Sequence, residues 1–246
     1  MTRVDDLKVK IFADGADFDG MVKTARNPRV KGFTTNPTLM KKAGVTDYEA
    51  FARKVLQAIP DRPVSFEVFA DDFESMAAQA RAIATWGPNV NVKIPVTNSK
   101  GVFAGPLLRS LSADGVVLNV TAIFTLDQVQ AVAEALDPAT PAIVSVFAGR
   151  IADTGVDPVP HMRACKKILA SRPKAELLWA SPRELLNIFQ ADEVGCDIIT
   201  CTNDVIAKLD LVGKDLTAYS LETVQMFYKD ATAAAFEIKV ARHAAE

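Results

Sequence analysis

Short apolar runs alternate with longer segments whose apolar positions recur at helical spacing along the whole chain. The strand-like runs are Val9–Asp14, Gly32–Asn36, Val64–Phe69, Val90–Val96, Val117–Phe124, Ala142–Gly149, Ala175–Ala180 and Asp197–Thr202. Between them lie amphipathic segments such as Asp72–Trp86, Leu126–Leu136 and Pro160–Ser171. The cycle repeats eight times and ends in an extra helix over about Leu221–Ala244. No Pro/Gly/Ser-rich linker or charge run interrupts it. The pattern predicts an α/β protein, a single (β/α)8 TIM barrel over residues 1–246 with an additional C-terminal helix; a doubly wound sheet is the fallback.

Local signals mark the helix ends. Ser181-Pro182-Arg183-Glu184 reads as a capping box, with Ser at the N-cap, Pro at the first helical position and Glu at the third. Asp71-Asp72-Phe73-Glu74 opens another helix with negative charge at its positive end. Gly87, Gly115 and Gly195 fall just beyond helix ends, where a left-handed residue is expected.

Strand alternation then exposes an anomaly. In Val90-Asn91-Val92-Lys93-Ile94-Pro95-Val96 the aliphatic residues share one face, which turns Asn91 and Lys93 to the barrel interior. The same parity groups Thr34 with Asn36, Ser65 with Glu67, Asn119 with Thr121, and Ser145 with Phe147, while Asp14 closes the first strand. Burying unpaired charge costs several kcal/mol, so a purely structural core does not collect such a set. The competing structural account is a polar plug in which Lys93 bridges Asp14 and Glu67. Catalytic residues of such barrels cluster at the carboxyl ends of strands, where these side chains lie. A lysine in a dry pocket is favoured in its neutral, nucleophilic form, able to condense with a ketone, and Asp14 and Glu67 are the proton-transfer groups at hand.

Composition removes other chemistry. Only two histidines occur, His161 and His243, so a histidine triad or multi-histidine metal site is not expected. Cys165, Cys196 and Cys201 have no metal-ligand spacing and are expected to be reduced and buried. No metal and no cofactor are called for. The net charge of −2 gives no electrostatic case for nucleic acid or membrane partners, and no glycine-rich nucleotide loop is present. No apolar run is long enough for a membrane span, and Met1–Asp6 is too polar for a signal peptide; a soluble, cytoplasmic protein is expected.

Gly32-Phe33-Thr34-Thr35-Asn36-Pro37-Thr38-Leu39 and Val92-Lys93-Ile94-Pro95, in this order and spacing, resemble the two signatures of the transaldolase family over roughly residues 8–240. The resemblance implies a class I aldolase-type barrel with its imine-forming lysine at Lys93, acting in carbohydrate metabolism of the pentose phosphate type. It implies that Asp14 is the general acid/base, and that Glu67 and Thr121 orient a proton-relaying water. Asn36 and Asn119 would hold substrate hydroxyls, with Thr34, Ser145 and Phe147 lining the pocket. Arg150, Ser181 and Arg183 are similar to the family's phosphate clamp, and an anion is favoured at a helix N-terminus beside forked arginine donors. The structural alternatives are turn and strand-end hydrogen bonds for the amides and hydroxyls, and solvated arginines.

The family also contains fructose-6-phosphate aldolases, which typically carry Gln, Leu and Tyr where this chain has Glu67, Asn119 and Phe147; the resemblance therefore favours transfer over simple cleavage. Gly15 departs from the Thr or Ser usual after the catalytic Asp, which leaves the sugars open. A sugar-phosphate-binding barrel without catalysis is the alternative from another class, and the intact Lys93, Asp14 and Glu67 speak against it. Sugar phosphates are the expected small-molecule partners. The terminal apolar stripe of Val224, Phe227, Tyr228, Ala231 and Ala235 suits closure over the chain's own barrel or a neighbour's, so a homo-oligomer is compatible with the sequence.

Overall fold

The computed structural model describes residues 3–238. Eight parallel strands pair in chain order and close on themselves: β1 (Lys10–Asp14), β2 (Val30–Thr34), β3 (Val64–Glu67), β4 (Val90–Pro95), β5 (Leu118–Ile123), β6 (Ala142–Val146), β7 (Ala175–Trp179) and β8 (Ile198–Cys201). Helices cover the outside: α1 (Phe18–Ala25) follows β1, then α2 (Pro37–Lys42) and α3 (Tyr48–Ala58), α4 (Phe73–Ala84), α5 (Gly105–Ala113) and α6 (Leu126–Ala135). After β6 come α7 (Ala148–Ala152) and α8 (Pro158–Leu169); α9 (Leu186–Glu193) follows β7 and α10 (Asn203–Ala207) follows β8. This is a (β/α)8 barrel, as the eight repeats predict.

Side-chain oxygens start most of these helices. Asp17, Asn36, Asp47, Asp72 and Asp157 each accept a backbone N–H of the first turn, and Thr125 with Gln128 forms a reciprocal capping box. Val90, Val92, Ile94 and Val96 pack in the layer between strands and helices, while Asn91 and Lys93 of the opposite parity are also buried. The barrel interior carries a separate apolar plug of Phe12, Ile143, Leu178, Ala180 and Ile198. The three cysteines are free and buried, and burial pushes the Cys165 thiol up to about 12.

Several local expectations differ from the structure. The sixth strand ends at Val146, and Gly149 sits in α7 rather than in the strand, because the chain turns at Phe147. Asn36 lies beyond β2 and caps α2. Ser181 is not an N-cap: its φ is +58°, α9 begins only at Leu186, and Asn187 Oδ1 accepts the Arg183 and Glu184 N–H groups from within the helix. Gly115 and Gly195 adopt the left-handed conformation (φ +81° and +80°), whereas Gly87 does not; Thr85 closes α4 instead.

The contacts divide the chain after Leu209. The second unit, from Asp210, contains α11 (Leu216–Ala233), which starts five residues before the expected Leu221 because Asp215 caps it through Ala218 N–H. No residue of α11 is buried, and Val224, Phe227, Tyr228, Ala231 and Ala235 are all exposed. The end of the expected helix and His243 lie outside the described residues. Among the described residues no helix is long and apolar enough to cross a membrane.

Candidate active site

The carboxyl ends of the strands surround a cavity of about 550 Å³. All twelve side chains assigned to the site from sequence line it: Asp14, Thr34, Asn36, Glu67, Lys93, Asn119, Thr121, Ser145, Phe147, Arg150, Ser181 and Arg183, whereas Ser65 and Asn91 are buried but do not line it. They come from six strands, from the loops after β2, β6 and β7, and, for Arg150, from α7. The period-two alternation of each strand aims the right parity inward, and barrel closure gathers the strand ends at one place.

Lys93 is buried in the wall. Its Nζ lies 3.1 Å from Glu67 Oε2 and donates to the Thr35 carbonyl at 2.7 Å. Lys93 and Glu67 are direct partners in the β3–β4 register, so the contact follows from strand pairing. Asp14 stands at the end of β1. Burial raises its pKa above the ordinary value, while the charge of Lys93 and a hydrogen bond from Thr34 pull the other way and the Glu67 charge adds to the rise. Thr34 Oγ1 donates to Asp14 Oδ1 at 3.0 Å and lies 2.5 Å from Thr200 Oγ1. A hydroxyl has one proton, so Thr200 is the donor to Thr34.

The amides are partly committed to the protein. Asn119 is fully buried; its Nδ2 donates to Ser65 Oγ at 3.1 Å and its Oδ1 accepts from Ser145 Oγ at 2.6 Å. One Nδ2 proton is left for a ligand. Asn36 uses Oδ1 to cap α2 through Leu39 N–H and keeps its amide donors. Thr121 precedes Ala122, whose φ of +60° interrupts the β5–β6 register between Val120 and Ile123. Left-handed backbone at a non-glycine residue is strained, and strain of this kind concentrates at functional sites.

At the rim, the Arg150 guanidinium sits 5.0 Å from the Phe147 ring centroid, and Phe147 packs on Phe124. Arg183 makes a forked pair with Asp153, Nε to Oδ1 at 2.9 Å and Nη2 to Oδ2. This leaves Nη1 and one Nη2 proton of Arg183 for an anion. The expected anion site on the N-terminus of a Ser181-capped helix is replaced by the loop after β7, whose Ser181 and Arg183 line the cavity together with Arg150 of α7. Thr200, Ala122, Leu39 and Lys42 also line the cavity and were not singled out from sequence. Thr200 was legible by parity within Asp197–Thr202; Ala122 and Lys42 carried no sequence signal. His161, on α8, does not line the cavity.

Residues 11–245 match the transaldolase/fructose-6-phosphate aldolase family. The chain is 35% identical over 202 residues to a probable transaldolase of Dehalococcoides mccartyi, covering 82% of this chain and 90% of the relative. It is 37% identical over 202 residues to probable transaldolase 2 of Listeria monocytogenes (82% and 88% covered) and 32% identical over 224 residues to a probable transaldolase of Nitrosopumilus maritimus (90% and 94% covered). The crystal structure of dihydrodipicolinate synthase from Rhodopseudomonas palustris superimposes with a TM-score of 0.58 at 15% identity, over 94% of this chain and 81% of the other, a likeness of fold. Signature strings, barrel topology and similarity over most of the chain converge, and the chain belongs to the transaldolase/fructose-6-phosphate aldolase family as an enzyme of aldolase/transaldolase type.

Proposed function

We propose that the protein transfers a dihydroxyacetone unit between phosphorylated ketose and aldose sugars through an imine on Lys93. The observation that carries this reading is the placement of Lys93 Nζ, buried between Glu67 Oε2 and the Thr35 carbonyl in the cavity that also holds Asp14. The neutral amine attacks the ketone carbon to give a carbinolamine. The hydroxyl leaves as water after a proton reaches it through Glu67, Thr121 and a water between them. Asp14 takes the proton from the hydroxyl on the carbon beyond the scissile bond, the bonding pair flows into the iminium, and the aldose departs as an aldehyde. An enamine remains on Lys93. It attacks the acceptor aldehyde, Asp14 returns its proton to the new alkoxide, and water releases the product ketose.

Asn36 and Asn119 hold sugar hydroxyls with their remaining N–H donors, Thr34 and Ser145 complete the wall beside Phe147, and Arg150, Ser181 and Arg183 receive the terminal phosphate. Every proton and electron pair in the sequence resides on the chain, the sugars or water, so no cofactor enters it. Transfer is favoured over simple cleavage by Glu67, Asn119 and Phe147, and the names of the relatives agree. The setting this reading implies is cytoplasmic sugar-phosphate metabolism.

The test is borohydride reduction in the presence of a ketose phosphate. A three-carbon adduct is expected on the peptide containing Lys93 and none in Lys93→Met. An adduct on Lys100 or Lys166, or one that survives in Lys93→Met, overturns the mechanism.

A further inference from the structure

In a regular parallel ladder, each residue of one strand donates its N–H to one residue of its neighbour and accepts, through its carbonyl, from the residue two further on. Between β2 and β3 the register pairs Phe33 with Val64 and Thr34 with Ser65, and Thr35 N–H donates to the Ser65 carbonyl at 3.1 Å. The next rung of that ladder runs from Glu67 N–H to the Thr35 carbonyl. In this barrel the rung is exchanged. Glu67 N–H donates to Tyr48 Oη at 2.8 Å, and the Tyr48 hydroxyl donates to the Glu67 carbonyl at 3.0 Å. The Thr35 carbonyl instead accepts Lys93 Nζ at 2.7 Å.

The sequence explains why a hydroxyl is needed there. One more step along the ladder, the donor to the Glu67 carbonyl would be Pro37, which has no N–H. Without Tyr48, both backbone groups of Glu67 would turn toward a β2 end that offers one acceptor and no donor. Tyr48 reaches this point from the first turn of α3, and its ring is held by Phe66, Phe69 and Trp86 at centroid distances of 6.0, 4.5 and 5.4 Å. Burial pushes the phenol far above its ordinary range, so the hydroxyl keeps the proton it donates.

We infer that Tyr48 is a positioning residue for the nucleophile: its hydroxyl takes over the backbone bonds of Glu67, frees the Thr35 carbonyl to hold Lys93 Nζ, and fixes the strand end from which the Glu67 carboxylate reaches the same nitrogen. The inference rests on the reading of Lys93 as the imine-forming lysine. It adds a residue outside the cavity lining to the machinery that aims the amine. Loss of the hydroxyl turns Glu67 N–H back to the Thr35 carbonyl, where it competes with Lys93 Nζ for the oxygen and draws the amine off its alignment while the binding wall stays intact.

The test compares wild type, Tyr48→Phe and Trp86→Phe, the last loosening the same ring packing with the hydroxyl retained. The measured quantity is the rate of borohydride-trapped labelling of Lys93 against ketose phosphate concentration, per folded molecule. Tyr48→Phe is expected to lower the saturating rate by about tenfold or more, with the half-saturating concentration changed less than about threefold, since misaligning a reacting group acts on the rate of attack. Trp86→Phe is expected to lower the melting temperature and leave the labelling rate near wild type. A crystal structure of Tyr48→Phe should show Glu67 N–H on the Thr35 carbonyl and Lys93 Nζ withdrawn from it. Unchanged labelling in Tyr48→Phe, or equal losses in both variants, overturns the positioning role. Absence of any Lys93 adduct in wild type sinks the nucleophile reading itself, whereas a labelled wild type with an indifferent Tyr48→Phe sinks only this inference.

Discussion

The backbone of Gly149 packs against the carbonyl oxygen of Ser181 so closely that a β-carbon on Gly149 would lie 1.4 Å from it. This contact, with the Gly149 N–H donating to the Ala180 carbonyl at 3.2 Å, joins the start of α7 to the end of β7. It brings Arg150 to the same wall as Ser181 and Arg183. Gly149→Ala must therefore displace one loop from the other. Its cost is about 1–3 kcal/mol, as for other overpacked sites, and binding of phosphorylated sugars should weaken with it. Gly15→Ala is the contrast, since a β-carbon there meets nothing within 4 Å. Urea midpoints of both variants check the pair; equal midpoints would show that the loops separate without cost.

Arg183 spends its fork on Asp153 at a half-exposed position, so its remaining donors and its charge are what a phosphate would meet. Arg183→Ala should cost about 1.5–3 kcal/mol in binding a phosphorylated substrate, or roughly ten- to a hundredfold in affinity. Unphosphorylated analogues should bind as before. Isothermal titration with matched sugar and sugar phosphate measures the difference, and an equal loss for both assigns the arginine a structural role.

Phe147 presents an apolar ring to the cavity, backed by Phe124 and covered by Arg150. It offers no hydrogen bond to a water near an enamine on Lys93. Phe147→Tyr adds a hydroxyl able to orient water or donate a proton. Release of free dihydroxyacetone from a donor alone should rise in this variant while transfer falls. Enzymatic assay of the free ketone, with and without acceptor aldehyde, decides the matter. Fast wild-type release indifferent to acceptor would favour the aldolase reading.

Asp14 predicts a pH-dependent stability. Burial raises its folded pKa above the ordinary 3.8, so the folded protein holds this proton more tightly than the unfolded chain. The associated stability is fully present below 3.8 and is lost as the pH rises through the folded value. Asp14→Asn cannot ionise and escapes that loss. Its urea midpoint should gain on the wild type as pH is raised from 3.8 toward neutrality. A constant gap across that range would show that Asp14 titrates alike in both states.

Much of the site was legible because strand alternation is a local property. Val90, Val92, Ile94 and Val96 announce their face without reference to any other segment, and they turn Lys93 inward by elimination. The same parity carried Asn119, Thr121 and Ser145 into the cavity. Ser181 failed as a cap because of a contact far away in the chain: the Gly149 backbone packs against its carbonyl oxygen, its φ is positive, and the Arg183 and Glu184 N–H groups go to Asn187 Oδ1 instead.

The sequence by itself determined the eightfold strand–helix repeat, the barrel it implies, and which side chains of most strands face inward, since these depend on the period of neighbouring residues. The tertiary structure alone decided which hydrogen-bond partner each inward group finds. Thr34 meets Thr200 across the β1 strand that separates β2 from β8, and Tyr48 replaces a rung of the ladder so that Thr35 meets Lys93. Those pairings depend on barrel closure and on the register between strands distant in sequence, and no local pattern of hydrophobic and polar residues encodes them.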